Sequence, residues 1–339
     1  MPQHTLQCME VWGGNRAVEN GVVMPGLDAW VFSRPYVGTA ARGSAEDTSR
    51  GGDIHYVTCC ATGRITRIVV ADVSGHGEKV ADTAVELRRL LGRFSNYLDQ
   101  EKVVAELDRR FLQLGEANER HAGLFATAVI ATYWSPTEEI TLCNAGHPRP
   151  LRYSASAKHW ELIIPGQGDS AKGPTNLPLG IGVDACHPQS AFRLRRGDLL
   201  LFYTDSLIEA RRATGEQLGE AGLLALMKGT DPSRPEALVR DLLRVVGEWR
   251  DGGSGAALHH IDALPEFDDD VTLVLVRPNT LGPRPSLGLS LLAAYRISCQ
   301  FLKSLVNRDV VMSWPQVRRD LIMGSFSKGA NGQMDDKAG

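Results

Sequence analysis

The sequence of 339 residues lacks the features that mark several large classes of protein. None of its six cysteines forms a Cys-x-x-Cys pair, so neither a zinc site nor a disulfide framework is predicted. No uncharged apolar run approaches the roughly 20 residues that a membrane span requires. Residues Met1 to Thr5 contain no basic or apolar stretch, so no secretory signal is expected. A reducing cytoplasm is the expected compartment.

An excess of charge of one sign is also missing. The formal net charge is -3, and no basic, aromatic-rich patch is present, which argues against a nucleic-acid or membrane surface. What is present is the composition of a globular protein, with 43% hydrophobic and 23% charged residues. Many of the 35 glycines lie in short motifs between apolar runs, which indicates a body rich in turns and strands.

The apolar pattern predicts strands and helices in an irregular order. Ile54–Cys59 alternates and Ile65–Ala71 is β-branched, so both are predicted strands. Apolar residues at helical spacing from Val80 to Leu114 predict two helices, and residues 220–249 also have helical character. Further strands are predicted near residues 124–133, 139–143, 160–164, 198–204 and 271–276. This order favours a layered α+β domain over a regular βαβ repeat.

The chain divides into four predicted regions. Residues 1–50 are polar and loop-like apart from Leu27–Val31, and we expect them to pack on the core. Residues 51–278 form the main domain. Apolar residues at helical spacing predict a helical extension over 279–325. The tail, 326–339, has almost no apolar content and is predicted to be disordered.

Acidic residues stand at the ends of apolar strands or in tight glycine turns. Asp53 follows two glycines, Asp72 ends one strand, Asp205 ends another, and a triple aspartate precedes the last. Each could be only a turn, a helix cap or solvated charge. A carboxylate at the tip of a buried strand is nevertheless costly unless it is compensated, and several together repel. Because hard oxygen ligands suit Mg²⁺ or Mn²⁺, the combined pattern predicts a divalent-cation site.

Taken in order, these motifs resemble the sporulation stage II E type of metal-dependent phosphatase, which is protein phosphatase 2C-like (PPM). The matching pieces are Gly51–Asp53 (GGD), Asp72–Gly77 (DVSGHG), Leu124–Ala128 (LFATA), Asn144–Pro148 (NAGHP), Leu177–Gly180 (LPLG), Thr204–Ser206 (TDS) and Asp269–Thr272 (DDVT). The resemblance implies a β-sandwich flanked by helices in α-β-β-α layers. It also implies two Mn²⁺ or Mg²⁺ ions in a cleft at one end.

The resemblance assigns roles to the acidic residues. Asp72 is expected to bridge both ions, assisted by the backbone carbonyl of Val73. Asp53 is expected to lie among the ligands or just behind them. Asp205 and Asp269 are expected to complete the metal site.

Four further residues near these motifs need separate interpretation. Asp270 is the alternative to Asp269 in the triple aspartate. His76 is expected either to orient water or protonate the leaving oxygen, or only to fix its loop. His147 is expected to hold a turn at the sheet edge. Ser206 replaces the glycine usual in the family. Because glycine permits positive φ and close backbone approach, serine is expected to disturb the geometry or metal affinity at Asp205, and Ser206→Gly is expected to preserve or raise activity and tighten metal binding.

The implied activity is hydrolysis of phosphoserine or phosphothreonine by a metal-activated water, with no covalent enzyme intermediate. The implied partner is a phosphorylated regulatory protein in bacterial signalling, such as an anti-sigma factor antagonist, and the chain could pair as a homodimer. Two alternatives remain open at this point. One is a pseudophosphatase that binds a partner without turnover, for which Ser206 is the support, and the other is a phosphatase for a small metabolite.

Overall fold

The computed structural model of the chain describes residues 2–6, 10–36, 50–59, 63–75, 77–93, 99–119, 121–166, 174–182, 185–252, 265, 267–281, 295 and 298. The strands within these residues are β1 (Gln3–Thr5), β2 (Val11–Arg16), β3 (Val18–Met24), β4 (Leu27–Arg34), β5 (Arg50–Cys59), β6 (Ile65–Val73), β7 (Ala126–Trp134), β8 (Glu139–Ala145), β9 (Leu151–Ser154), β10 (His159–Leu162), β11 (Ser190–Arg193), β12 (Leu199–Tyr203) and β13 (Val271–Pro278). The helices are α1 (Glu78–Arg93), α2 (Gln100–Ala117), α3 (Ser206–Glu209), α4 (Gly219–Met227) and α5 (Pro235–Arg250).

The strands form two sheets. The first sheet has the order β1-β3-β4-β13-β12-β9-β10, and the second has the order β11-β8-β7-β6-β5-β2. Neighbouring strands are antiparallel except for β1 beside β3. In the first sheet β4 pairs with β13 along its whole length, so strands from opposite ends of the domain are neighbours.

Three apolar clusters bind the layers together. One lies between the sheets and includes Val31 from the first and Val70 from the second. Another packs α1 and α2 on the second sheet. The third packs α4 and α5 on the first sheet, where Trp30 and Phe32 of β4 lie on the face opposite to Val31. The layers are therefore α-β-β-α, as predicted from the resemblance.

The two helices predicted after β6 are confirmed. Val80 and Leu87 of α1 are buried in the cluster beneath the helices, together with Leu107 and Phe111 of α2. Their spacings of seven residues in α1 and four in α2 place each pair on one helix face. The Asp99 side chain caps α2 by accepting a hydrogen bond from the backbone N–H of Lys102 at 3.3 Å.

The prediction that residues 1–50 are loop-like is wrong, because residues 3–34 contain four strands. In β2, Gly13 and Gly14 interrupt any apolar alternation, and the strand depends on pairing with β5. Of the predicted helix within 279–325, only Tyr295 and Ser298 are described beyond Leu281, and both are helical. Its remaining residues and the predicted tail lie outside the described residues. None of the described helices has the length and apolar character needed to cross a membrane.

Candidate metal centre

The predicted acidic residues come together at one end of the sandwich. Asp53 on β5 is directly opposite Asp72 on β6 in the second sheet. In the first sheet, Asp205 follows β12 and Asp269 precedes β13, which is paired with β12. The two sheets meet here, since the hydroxyl of Thr204 donates a hydrogen bond to Asp53 Oδ2 at 2.8 Å. Both halves of the predicted ligand set therefore lie at the same end.

The electrostatics show an excess of negative charge at this end. Burial and then the neighbouring carboxylates, first that of Asp205, raise the pKa of Asp72 to about 8. Burial and the charge of Glu209 raise the pKa of Asp205 to about 6. Burial and the charge of Asp72 also hold the pKa of Asp53 well above its ordinary value. These carboxylates oppose one another's ionisation, which a divalent cation would relieve.

The donor chemistry of the site fits a hard cation. Its donors are carboxylate and carbonyl oxygens, which Mg²⁺ and Mn²⁺ prefer. Across the described ranges, no group of three or more His, Cys, Asp or Glu side chains already has the arrangement needed to hold an ion.

Asp270 differs from its neighbour Asp269 in the hydrogen bonds that it makes. Its carboxylate accepts hydrogen bonds from three backbone N–H groups, those of Tyr36 (2.6 Å), Gly52 (2.5 Å) and Asp53 (3.3 Å). A Cβ atom at Gly51 would lie 2.2 Å from Asp270 Oδ2, so only glycine fits there. Asp270 thus ties together separate segments through its carboxylate oxygens, although its charge also raises the pKa of Asp53 and Asp72. The Asp269 charge raises the pKa of Asp72 and Asp205. This geometry favours Asp269 over Asp270 as the ligand.

Gly52 brings the chain before Asp53 close to the expected carbonyl ligand. A Cβ atom at Gly52 would lie 2.8 Å from the backbone oxygen of Val73 and 2.7 Å from Val80 Cγ1. Real Cβ atoms do not approach that closely, so a side chain at this position would push the β5 backbone away from Val73. The pair of glycines before Asp53 is therefore required by close packing.

The loop after Asp72 is fixed to the strand beside it. The N–H of Ser74 donates to the carbonyl of Phe125 at 2.9 Å, and the N–H of Phe125 donates to Ser74 Oγ at 3.1 Å. Gly75 and Gly77 have φ of +96° and +95°, which glycine adopts readily. His76 between them lies outside the described residues, so its catalytic role stays a prediction.

His147 holds a turn, as predicted. Its N–H donates to Asn144 Oδ1 and its carbonyl accepts from Asn144 Nδ2, both at 2.8 Å. Its ring nitrogen Nδ1 lies 2.8 Å from the Thr127 hydroxyl, and Thr127 is opposite Asp72 in the sheet. Burial lowers the pKa of His147 to about 3, so the ring is neutral near physiological pH. The residue supports the strand beside Asp72.

The sequence pattern missed Glu209. Its charge helps to raise the pKa of Asp72 and of Asp205. A signal was present, since Glu209 lies four residues after Asp205 and residues at that spacing share a helix face.

The premise that the backbone at Ser206 needs a positive φ is wrong. Ser206 is the first residue of α3. Among the described non-glycine residues, positive φ occurs only at Glu138, Lys158 and Asn176, so the backbone at Ser206 does not require glycine. The expectation that serine disturbs the metal site through its backbone therefore loses its basis.

Ser206→Gly is accordingly expected to leave Mn²⁺ affinity within about threefold of the unsubstituted protein, since the backbone needs no new freedom. Glycine in a helical turn should instead lower the free energy of unfolding by about 0.5–1 kcal/mol. Isothermal titration with Mn²⁺ and thermal melting measure the two effects. Tenfold tighter binding by the glycine variant would contradict the expectation.

The raised pKa values predict how the metal-free protein responds to pH. Between the ordinary pKa of an aspartate, 3.8, and about 8, the folded state retains a proton on Asp72 that the unfolded state has released. The folded state binds more protons in this range, so its stability falls as pH rises. Melting temperatures in EDTA should therefore decline across this range, and less steeply in Asp72→Asn. Identical slopes for the two proteins would contradict the prediction.

A two-sheet sandwich with helices on both outer faces is the arrangement of the PP2C-type fold. The structure is similar to the RsbU and RsbW domains of Rv1364c from Mycobacterium tuberculosis, with 24% identity, a TM-score of 0.54, and 85% of this chain and 72% of that chain covered. The PP2C phosphatase domain with a fragment of the regulatory domain of SpoIIE from Bacillus subtilis matches with 13% identity and a TM-score of 0.50, and 80% of this chain and 83% of that chain are covered. RsbX in complex with magnesium matches with 14% identity, a TM-score of 0.51, and 77% and 100% coverage.

These likenesses show the fold. The family model described as Stage II sporulation protein E (SpoIIE) matches residues 62–279. The chain belongs to this family.

Proposed function

We propose that the protein is a metal-dependent phosphoprotein phosphatase that hydrolyses phosphoserine or phosphothreonine with a metal-activated water. The observation that carries the proposal is the convergence of Asp53, Asp72, Asp205 and Asp269 at one end of the sandwich, where burial and neighbouring carboxylates raise the pKa of the first three. Membership of the SpoIIE family supports the reaction class.

Asp72, the carbonyl of Val73, Asp205 and Asp269 would hold two Mn²⁺ or Mg²⁺ ions. When bound, such ions lower the pKa of a coordinated water and neutralise charge on phosphoryl oxygens. Asp53 stands behind Asp72 and adds negative charge that favours cation binding. The magnesium in the similar RsbX structure is in keeping with this choice of metal.

The sequence argument for the pseudophosphatase alternative no longer holds. It depended on Ser206, whose backbone does not need the conformational freedom of glycine. The direct test is phosphate release from p-nitrophenyl phosphate by metal-stripped protein before and after addition of Mn²⁺. Release that appears only with Mn²⁺ is the expected result, and no release at saturating Mn²⁺ or Mg²⁺ would reject the proposal.

The proposed substrate is a phosphorylated regulatory protein of the anti-sigma factor antagonist type. A protein substrate makes contacts remote from the phosphate, and these help to orient the reacting group. We therefore expect kcat/KM to be at least roughly a hundredfold higher on such a phosphoprotein than on free phosphoserine. Both substrates should be compared at one Mn²⁺ concentration. Equal values for phosphoserine and for every phosphoprotein tried would contradict the proposed substrate class.

A further inference from the structure

Three hydroxyl groups lie between the two sheets directly beneath the acidic residues. They belong to Ser33 of β4, Thr272 of β13 and Thr204 just after β12, and their exposed fractions are 3%, 0% and 0%. We call them the hydroxyl ladder. The strands β4, β13 and β12 are adjacent in the first sheet. The ladder therefore crosses three strands and faces Asp53 of the second sheet, which is 3% exposed.

The hydrogen bonds of Thr204 fix the direction of its proton. Its Oγ1 accepts a hydrogen bond from the backbone N–H of Thr272 at 2.9 Å and lies 2.8 Å from Asp53 Oδ2. A hydroxyl has one proton to donate, and of the two acceptors near it Asp53 Oδ2 at 2.8 Å is much closer than the Thr272 carbonyl at 3.5 Å. The Thr204 hydroxyl therefore donates to Asp53.

The remaining two hydroxyls extend this contact across the sheet. The Ser33 hydroxyl lies 2.9 Å from the Thr272 hydroxyl, and either of the two could donate in that contact. The Thr272 side chain also favours the ionised form of Asp53, against the effect of burial on its pKa. The contact made directly with the Asp53 carboxylate is that of Thr204.

The ladder interrupts an apolar pattern at the level of Asp53. Two residues along each strand, on the same face, the side chains of Val31, Phe202 and Val274 belong to the apolar cluster between the sheets. A buried polar group is costly unless it is hydrogen-bonded, and apolar side chains would fill these positions without that requirement. We therefore attribute the hydroxyls at these positions to hydrogen bonding near Asp53 rather than to packing between the sheets.

We infer that Thr204 is a positioning residue of the metal centre, which holds the Asp53 carboxylate in one orientation beside Asp72. The inference rests on the proposed metal-dependent function. Residues that orient a ligand or a charge beside a metal typically change metal affinity by about 10- to 100-fold when they are removed. The effect should therefore appear in metal binding itself as well as in catalysis.

The test uses the full chain, stripped of metal, and isothermal titration with Mn²⁺. Thr204→Val keeps the shape of the side chain and removes the hydroxyl, so Mn²⁺ should bind about 10- to 100-fold more weakly. Thr204→Ser restores the hydroxyl and should bring the affinity back to within about threefold. Thr66→Val is the matched control, because Thr66 is 1% exposed on β6 and its hydroxyl has no hydrogen-bond partner among the described residues.

The outcomes separate this inference from the proposed function. If Thr204→Val binds Mn²⁺ as tightly as the unsubstituted protein, the positioning role is rejected while the metal centre stands. If the unsubstituted protein binds no Mn²⁺, the proposed function fails and the inference fails with it. Equal weakening in Thr204→Val and Thr204→Ser would also reject the role, since the hydroxyl would not be responsible. If Thr204→Val does not fold, Thr204→Ala is titrated in the same way, and unchanged Mn²⁺ affinity of that variant would reject the role.

Discussion

Asp72→Asn is expected to reduce kcat/KM on a phosphoprotein by at least roughly a thousandfold at any Mn²⁺ concentration. Burial and the charges of Asp205 and Asp269 raise the pKa of Asp72. The resemblance assigns this carboxylate to both ions. An amide of the same shape retains the packing but carries no negative charge to hold a cation. Initial rates of phosphate release, measured across a Mn²⁺ titration, give the comparison.

The stability of the Asp72→Asn protein distinguishes lost chemistry from lost folding. Removing a buried carboxylate that its neighbours repel should raise the melting temperature in EDTA above pH 7 or thereabouts. Asp241→Asn, at an exposed site on α5, is the control for the loss of one charge and should change neither activity nor affinity. Full activity of Asp72→Asn in Mn²⁺-containing buffer would remove the basis for the proposed function.

The second large effect distinguishes Asp270 from Asp269. Asp270→Ala leaves the three backbone N–H groups that it binds without their acceptor, so we expect the free energy of unfolding to fall by about 2–4 kcal/mol. Asp269→Ala removes a charge that opposes ionisation of Asp72, so metal-free stability should be retained or raised. Its Mn²⁺ affinity should instead fall by at least about a hundredfold.

Denaturant unfolding in EDTA and Mn²⁺ titration, applied to both variants, measure this pair of effects. Asp268→Ala is the matched control, because Asp268 is the exposed first member of the triple aspartate. The reverse result, with Asp270→Ala stable and unable to bind Mn²⁺, would show that Asp270 is the ligand. The alternative left open by the sequence would then be the correct one.

Local patterns in the sequence predicted the elements that local physics determines. The stripe from Val80 to Leu87 predicted α1 because a helix buries one face at a spacing of three and four residues. The strands β5 and β6 were legible from alternation and β-branching, and the glycines before Asp53 indicated a turn or a close approach. The two glycine-interrupted strands β2 and β3, which lie in different sheets, were missed because their pairing partners, rather than their own residues, stabilise them.

At the metal centre, too, local patterns were predictive and contacts between distant residues were not. The motifs predicted which aspartates come together. They did not predict the hydrogen bonds of Asp270 to backbone N–H groups, one of which belongs to Gly52, 218 positions away. The hydroxyl ladder was equally hidden, since Ser33 and Thr272 are separated by 239 positions. A weak signal existed at Thr272, a polar residue in an otherwise apolar run, although threonine is common in strands. Contacts between distant residues of this kind become visible only when the register of the sheet is known.

The pairing of β4 with β13 has a consequence for biosynthesis. The ribosome makes β4 more than two hundred residues before its partner, as the separation of 239 positions between Ser33 and Thr272 illustrates. Until β13 emerges, the growing polypeptide exposes an apolar strand edge that chaperones would shield. Such non-local pairing slows folding, because a long loop must close before the contact forms. The nascent polypeptide therefore acquires its acidic centre only in the last stage of translation of this domain.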